Sequence, residues 1–161
     1  MPTRTAATVE LLEQELTLLA RHQLSSAHHN PDLGLDRSGY QLLGRLELGP
    51  LSLKQLAEAF RLDISTVNRQ VASLRRKGLV ERIADPAGGV AQLLRPTRRG
   101  LAQLRADRET RYSQIGQVLE TWDAADVDAL HELLAKFNLS IESLEGQAWP
   151  RPRTRSAGHS S

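Results

Sequence analysis

Apolar residues recur at helical spacing in six stretches of the chain, and between the fourth and fifth a short apolar run turns back on itself. The first stretch, Ala6 to about Ala27, places Val9, Leu12, Leu16, Leu19, Ala20 and Leu24 on one side of a long helix, with Leu11 and Leu18 widening the stripe. Asn30-Pro31 and Gly34 end it, because proline lacks the N–H and restricts its predecessor. A second helix from about Ser38 to Leu48 carries Tyr40, Leu42, Leu43 and Leu46 and stops at Gly49-Pro50.

Ser52 and Gln55 then have the spacing of a capping box, so a third, short helix begins near Leu53 and presents Leu53, Leu56, Ala57 and Phe60 on one face. Arg61, Leu62 and Asp63 make a tight connection, with Asp63 placed to cap the fourth helix, Ile64 to Lys77. In that helix Ile64, Val67, Val71 and Leu74 form a packing face. Ser65, Arg69, Ser73 and Arg76 lie opposite, with Thr66 beside them. Two helices joined by so short a turn form a helix-turn-helix unit, whose second helix enters the DNA major groove.

Gly78 stands where a helix C-terminus favours a left-handed residue, and Leu79 supplies the apolar contact that accompanies it. Leu79, Val80 and Ile83 begin a strand, Asp85 to Gly89 reads as a five-residue loop, and Val90 to Leu94 returns. A hairpin in this position makes the unit a winged helix-turn-helix.

Beyond it, Thr97 caps a rod running to about Glu120 through Leu101, Leu104, Tyr112, Ile115 and Leu119. A last helix follows Asp123 and Asp126 and runs to about Leu144, with Val127, Leu130, Leu133, Leu134, Phe137, Ile141 and Leu144 on a wide stripe. The first and last helices and the rod offer more apolar surface than one winged unit can cover, which points to packing against a second copy of the chain. The fold class is therefore mainly α with a small β-hairpin wing. Residues 1–148 form one domain, with dimerisation helices at about 6–27 and 98–145 around a winged unit at about 38–97. Residues 149–161, rich in Pro, Arg and Ser, read as a disordered tail.

Charge sharpens the picture. The net charge of the 161 residues is only +2, but residues 50–112 hold 13 Lys and Arg against 6 Asp and Glu, whereas 113–150 hold 1 against 7. The basic block thus coincides with the helix-turn-helix, as a phosphate-bearing partner requires. The absence of cysteine excludes disulfides, thiolate metal sites and thiol redox sensing within this chain. With no apolar run long enough for a membrane span and no signal-peptide core, a cytoplasmic protein is expected.

The stretch LSLKQLAEAFRLDISTVNRQVASLRRKGLVERIADP resembles the signature of the MarR family of bacterial transcription regulators. In that signature a leucine-alanine helix precedes D-x-S-T-V, and a K-G-L-V-x-R strand leads into an Asp-Pro wing. The resemblance covers roughly Gln41 to Gly100 at motif level. It implies a homodimer whose terminal helices interlock and whose reading helices enter successive major grooves of a pseudo-palindromic operator, with repression relieved by a small ligand. It also shows a departure: family wings commonly carry Asp-Arg-Arg after the Asp-Pro-x element, and here those positions are Gly88, Gly89 and Val90.

Arg69 is the leading base-contact candidate, since an Arg opposite the packed face can bind guanine bidentately. Ser65 and Thr66 at the helix start suit phosphate or base, and Asn68, Gln70 and Ser73 border the same face. Lys54, Arg75, Arg76 and Lys77, with Arg82 and Arg95 on the wing, are phosphate candidates that set affinity and salt dependence. A ligand pocket is expected where the first, second and fifth helices meet the reading unit, near Tyr40.

His28 and His29, close to Asp32 and Asp36, could hold a divalent metal, so a metal-sensing regulator is one alternative. A winged-helix protein-interaction module is another. His131-Glu132 begins like a zinc-peptidase motif, but Ala135 occupies the second ligand position, and His22 reads as a surface or interface residue. No phosphate loop, G-x-S-x-G or catalytic carboxylate pair is present, so neither an enzyme nor a cofactor is expected.

Overall fold

The computed structural model describes residues 3–29 and 33–151, including the side chains of 5–22 and 33–151. The elements run α1 (Thr3–His29), α2 (Arg37–Leu46), β1 (Leu51–Ser52), α3 (Leu53–Phe60), α4 (Ile64–Arg76), β2 (Val80–Ile83), β3 (Leu93–Pro96), α5 (Arg98–Val118) and α6 (Ala124–Glu145). All six helices appear where apolar periodicity put them. The three strands form one antiparallel sheet in the order β1-β3-β2. β1 is only two residues long, too short to show a period, and exists because Leu51 and Ser52 pair with Leu94 and Leu93.

Side-chain caps fix the helix starts. Gly39 N–H donates to Asp36 Oδ1 at 2.7 Å at the start of α2. At α3 both halves of the capping box form, from Gln55 N–H to Ser52 Oγ at 3.2 Å and from Ser52 N–H to Gln55 Oε1 at 2.8 Å. Thr97 Oγ1 accepts from Gly100 N–H at 3.0 Å at the start of α5. Asp63 occupies the N-cap position of α4 but does not make the expected side-chain bond, and Asp123, the N-cap residue of α6, makes none either.

The core collects Leu35, Leu42, Leu43 and Leu46 around α2, Leu56 and Ala57 from α3, and Val67, Val71 and Leu74 from α4. Leu79, Val80 and Leu94 join it from the sheet, and Leu104 from α5. At about 1.5–3 kcal/mol for each buried aliphatic side chain, this cluster is the main stabilising term of the winged unit. Ile64 is a correction to the expected packing face: it is the first residue of α4, next to the exposed turn 61–63, and is 52% exposed.

The wing also differs from expectation. Asp85 closes a turn in which Ala87 N–H donates to Asp85 Oδ1 at 2.9 Å and Gly88 N–H to Asp85 O at 2.9 Å, with Gly88 at φ +80°. The return strand begins only at Leu93, opposite Ile83. Val90, assigned to that strand by its apolar character, stands free in a loop spanning 84–92.

α5 meets the winged unit by backbone contact. Thr97 Oγ1 donates to Gly78 O at 2.7 Å and Thr97 N–H to Leu79 O at 3.0 Å. A Cβ on Gly100 would lie 2.0 Å from Leu79 O, so only glycine fits. Farther along α5, Arg108 pairs with Glu47 at 2.8 Å, which holds its guanidinium above its ordinary pKa. The Arg111 guanidinium lies 4.1 Å from the Tyr40 ring centroid, so α2 and α5 are also joined by a cation–π contact.

Asp107 is fully buried on α5 and was not singled out by the sequence pattern. Its two oxygens accept from Gly34 N–H at 3.0 Å, Leu35 N–H at 2.8 Å and Gln103 Nε2 at 2.8 Å, pinning the segment that enters α2. Replacing Asp107 with Ala strands two backbone donors, so unfolding in urea should show a loss of about 1–3 kcal/mol, and Asp107→Asn, which keeps one acceptor, a smaller one.

Candidate nucleic-acid interface

The turn between α3 and α4 is closed by Leu62 N–H donating to Ala57 O at 3.0 Å, with Arg61 in the left-handed region at φ +53°. A residue with a Cβ is unusual there, and Arg61 is held by its own side chain. It donates from Nε to Gln147 Oε1 at 3.2 Å and from Nη2 to Glu145 O at 2.9 Å, and its Nη1 lies 3.2 Å from Glu145 Oε1. These partners are more than 80 residues away, beyond the reach of any local pattern.

With Val67, Val71 and Leu74 buried, helical geometry turns the other side of α4 to solvent. Ser65, Asn68, Arg69, Arg75 and Arg76 are exposed, and Thr66, Gln70 and Ser73 are partly so. Among the described residues Arg69 is engaged by a single 3.5 Å bond from Nη2 to Thr66 Oγ1, which leaves most of its guanidinium donors outward. Arg75, Arg76 and Lys77 form no ion pair among the described residues. Asp63 caps α4 through its backbone carbonyl, which accepts from Thr66 and Val67 N–H, and its carboxylate makes no hydrogen bond to the first turn.

The remaining candidates are less uniform. Lys54 sits 3.9 Å from Glu58 one turn away, both largely in solvent, a pair of little energetic weight. Arg82 is exposed on β2, while Arg95 on β3 is paired across the ladder with Glu81 at 2.6 Å and is already partly neutralised. The 84–92 loop carries no basic residue, so the wing projects a neutral and acidic tip. Arg98 and Arg99, exposed where α5 leaves the sheet, extend the basic surface; the charge count included them but no motif marked them.

A cavity of about 490 Å³ lies beside this unit, lined by Tyr40, Arg45, Phe60, Arg108, Glu142 and Trp149 among others. It includes Tyr40, but its walls come from α2, α3, α5 and the end of α6, not from α1 as expected. His28, His29 and Asp32 lie outside the residues whose side chains are described. Among those that are, no group of three or more His, Cys, Asp or Glu is placed to hold a metal ion. No helix among them is long and apolar enough to cross a membrane.

An uncovered polar and basic helix face, presented by a helix-turn-helix with a hairpin wing, defines a DNA-binding winged-helix transcription regulator rather than an enzyme. Residues 33–89 match the sequence profile of the MarR family. The chain is 40% identical over 132 residues to YxaD of Bacillus subtilis (strain 168), described as an uncharacterized HTH-type transcriptional regulator, covering 81% of this chain and 92% of that one. The fold is similar to that of a MarR family protein from Bacillus stearothermophilus, with a TM-score of 0.70, 24% identity and coverage of 88% and 98% of the two chains. It is also similar to RV1404 from Mycobacterium tuberculosis, with a TM-score of 0.69, 24% identity and coverage of 89% and 97%. The protein belongs to the MarR family.

Proposed function

We propose that this MarR-family regulator acts in the cytoplasm as a homodimeric, ligand-responsive repressor. In this reading α1, the distal half of α5 and α6 join the two copies, and each α4 reads one half-site of a pseudo-palindromic operator. The observation that carries it is the division of apolar surface. α6 has no buried residue, and Leu133, Leu134, Phe137, Ile141 and Leu144 along it are exposed, as are Val9, Leu11, Leu12, Leu18 and Leu19 on α1 and Tyr112 and Ile115 on α5. Apolar stripes of this length are covered in a working protein, and a second copy bears the complementary set.

Within each reading unit, Arg69 contacts base edges, with Ser65, Thr66, Asn68, Gln70 and Ser73 around it. Lys54, Arg75, Arg76 and Arg82 contact phosphates, and Arg95 does so only if it leaves Glu81. The wing tip adds no cation, so base discrimination rests on α4. The cavity beside Tyr40 is the effector site of this proposal, since its walls come from both the reading unit and the end of α6.

About four phosphate contacts per copy make roughly eight in the complex, so affinity for the promoter beside the protein's own gene should fall by roughly 10³–10⁵ between 50 and 200 mM salt. Salt-independent or absent binding points instead to a protein-interaction module. Arg69→Ala should cost about 1–3 kcal/mol against operator and little against random duplex, whereas Arg76→Ala should weaken both alike. Equal losses in both variants refute this division of roles.

At micromolar concentration the protein should sediment near twice its 17.8 kDa chain mass. A species of single-chain mass rules out the two-copy arrangement.

A further inference from the structure

We propose that Gln147–Arg151 is a strap that fixes the angle between α6 and the helix-turn-helix, making Arg61 and Trp149 positioning residues for DNA binding. The chain leaves α6 through Gly146, left-handed at φ +67°, with Gln147 N–H donating to Glu142 O at 3.1 Å. This turn sends the following residues across the end of α3. There the Trp149 ring meets Phe60 edge to face, with centroids 5.1 Å apart and planes at 67°.

Arg61, at the joint between α3 and α4, holds both sides of the turn, bonding Glu145 at the end of α6 and Gln147 at the start of the strap. Arg151 then folds back to α6, donating from Nη1 and Nη2 to the two Glu142 oxygens at 3.1 and 2.5 Å. The strap is thereby tied at its start, middle and end.

Its consequence is geometric. α6 buries no residue within the chain, and along the sequence it reaches the reading unit only through α5. A single route of that kind is a hinge. The strap adds a second attachment and closes a ring of elements through α3, α4, the sheet, α5, α6 and back, and a closed ring has one angle where an open one has many. If α6 carries the partner copy, that angle sets the separation of the two reading helices, so this inference rests on the dimer reading above.

The test uses the full chain and two variants, Trp149→Ala and Arg61→Gly. Glycine at 61 removes the side-chain ties while favouring the left-handed turn, so the fold is retained. Trp149 is read separately by acrylamide quenching in a Trp122→Phe background, where it is the remaining tryptophan.

Trp149, 37% exposed against Phe60, should be partly shielded in that background, and Arg61→Gly should raise its quenching at least two-fold. Each variant should lose roughly three- to ten-fold in operator affinity with random-duplex affinity and dimer mass unchanged, and the double variant should be no worse than the weaker single. Inserting one base pair between half-sites should penalise the unaltered chain strongly and the variants much less, a change that a purely stabilising role would not produce. Spacing discrimination kept by both variants, or a Trp149 as accessible as free indole, overturns the strap while leaving the dimer intact. An unaltered chain that stays monomeric overturns the dimer reading and the strap's role with it.

Discussion

The burial of Val67, Val71 and Leu74 against α2 and α3 is the constraint on which the rest of the reading unit depends. Three aliphatic side chains on successive turns fix a helix in rotation about its own axis. An apolar residue moved to solvent forfeits about 1.5–3 kcal/mol, so no other rotation of α4 competes. Ser65, Arg69 and Arg76 face outward because the residues between them face in. DNA-binding capacity here follows from packing, with the basic charge of the central segment supplying the attraction.

The winged unit was largely legible in the sequence because local rules determine it. The capping box at Ser52, the left-handed Gly78 and the 3.6-residue period of α4 each act within a turn or two, and each appears as anticipated. The misreadings have a common cause as well. Val90 was assigned to a strand on apolar character alone, but a strand needs a partner, and Ile83 faces Leu93 instead. Ile64 obeys the helical period but stands at the very start of α4, 52% exposed, so periodicity overstates its burial. Trp149, assigned to a disordered tail, is seated by Phe60, a residue 89 positions earlier. Asp107 sits in the charged stretch 105–111, and nothing local announces the two amides it serves. The exposed side chains of α4 are legible in the sequence only as a face, since the role of each depends on a partner as much as on the chain.

The chain is divided along α5. Up to Leu104 and Asp107 its inward residues complete the winged unit; beyond Tyr112 its apolar residues face outward with those of α6. One helix therefore completes the core of the winged unit at its near end and leaves its far end uncovered. This explains the sparse apolar pattern of the rod: the winged unit claims only the near part of its stripe.

The contact at Gly100 has a mechanical corollary. With no side chain between α5 and the carbonyl of Leu79, and with Thr97 bonded to both Gly78 and Leu79, the root of α5 abuts the end of α4 like a mitred joint. Soft joints absorb torque through side-chain rotation, and here the side-chain contribution is the short Thr97 hydroxyl. A twist applied at the base of α5 must then either turn α4 by a comparable amount or break a hydrogen bond to Gly78 or Leu79, so whatever play the molecule has lies farther out, where α5 gives way to α6.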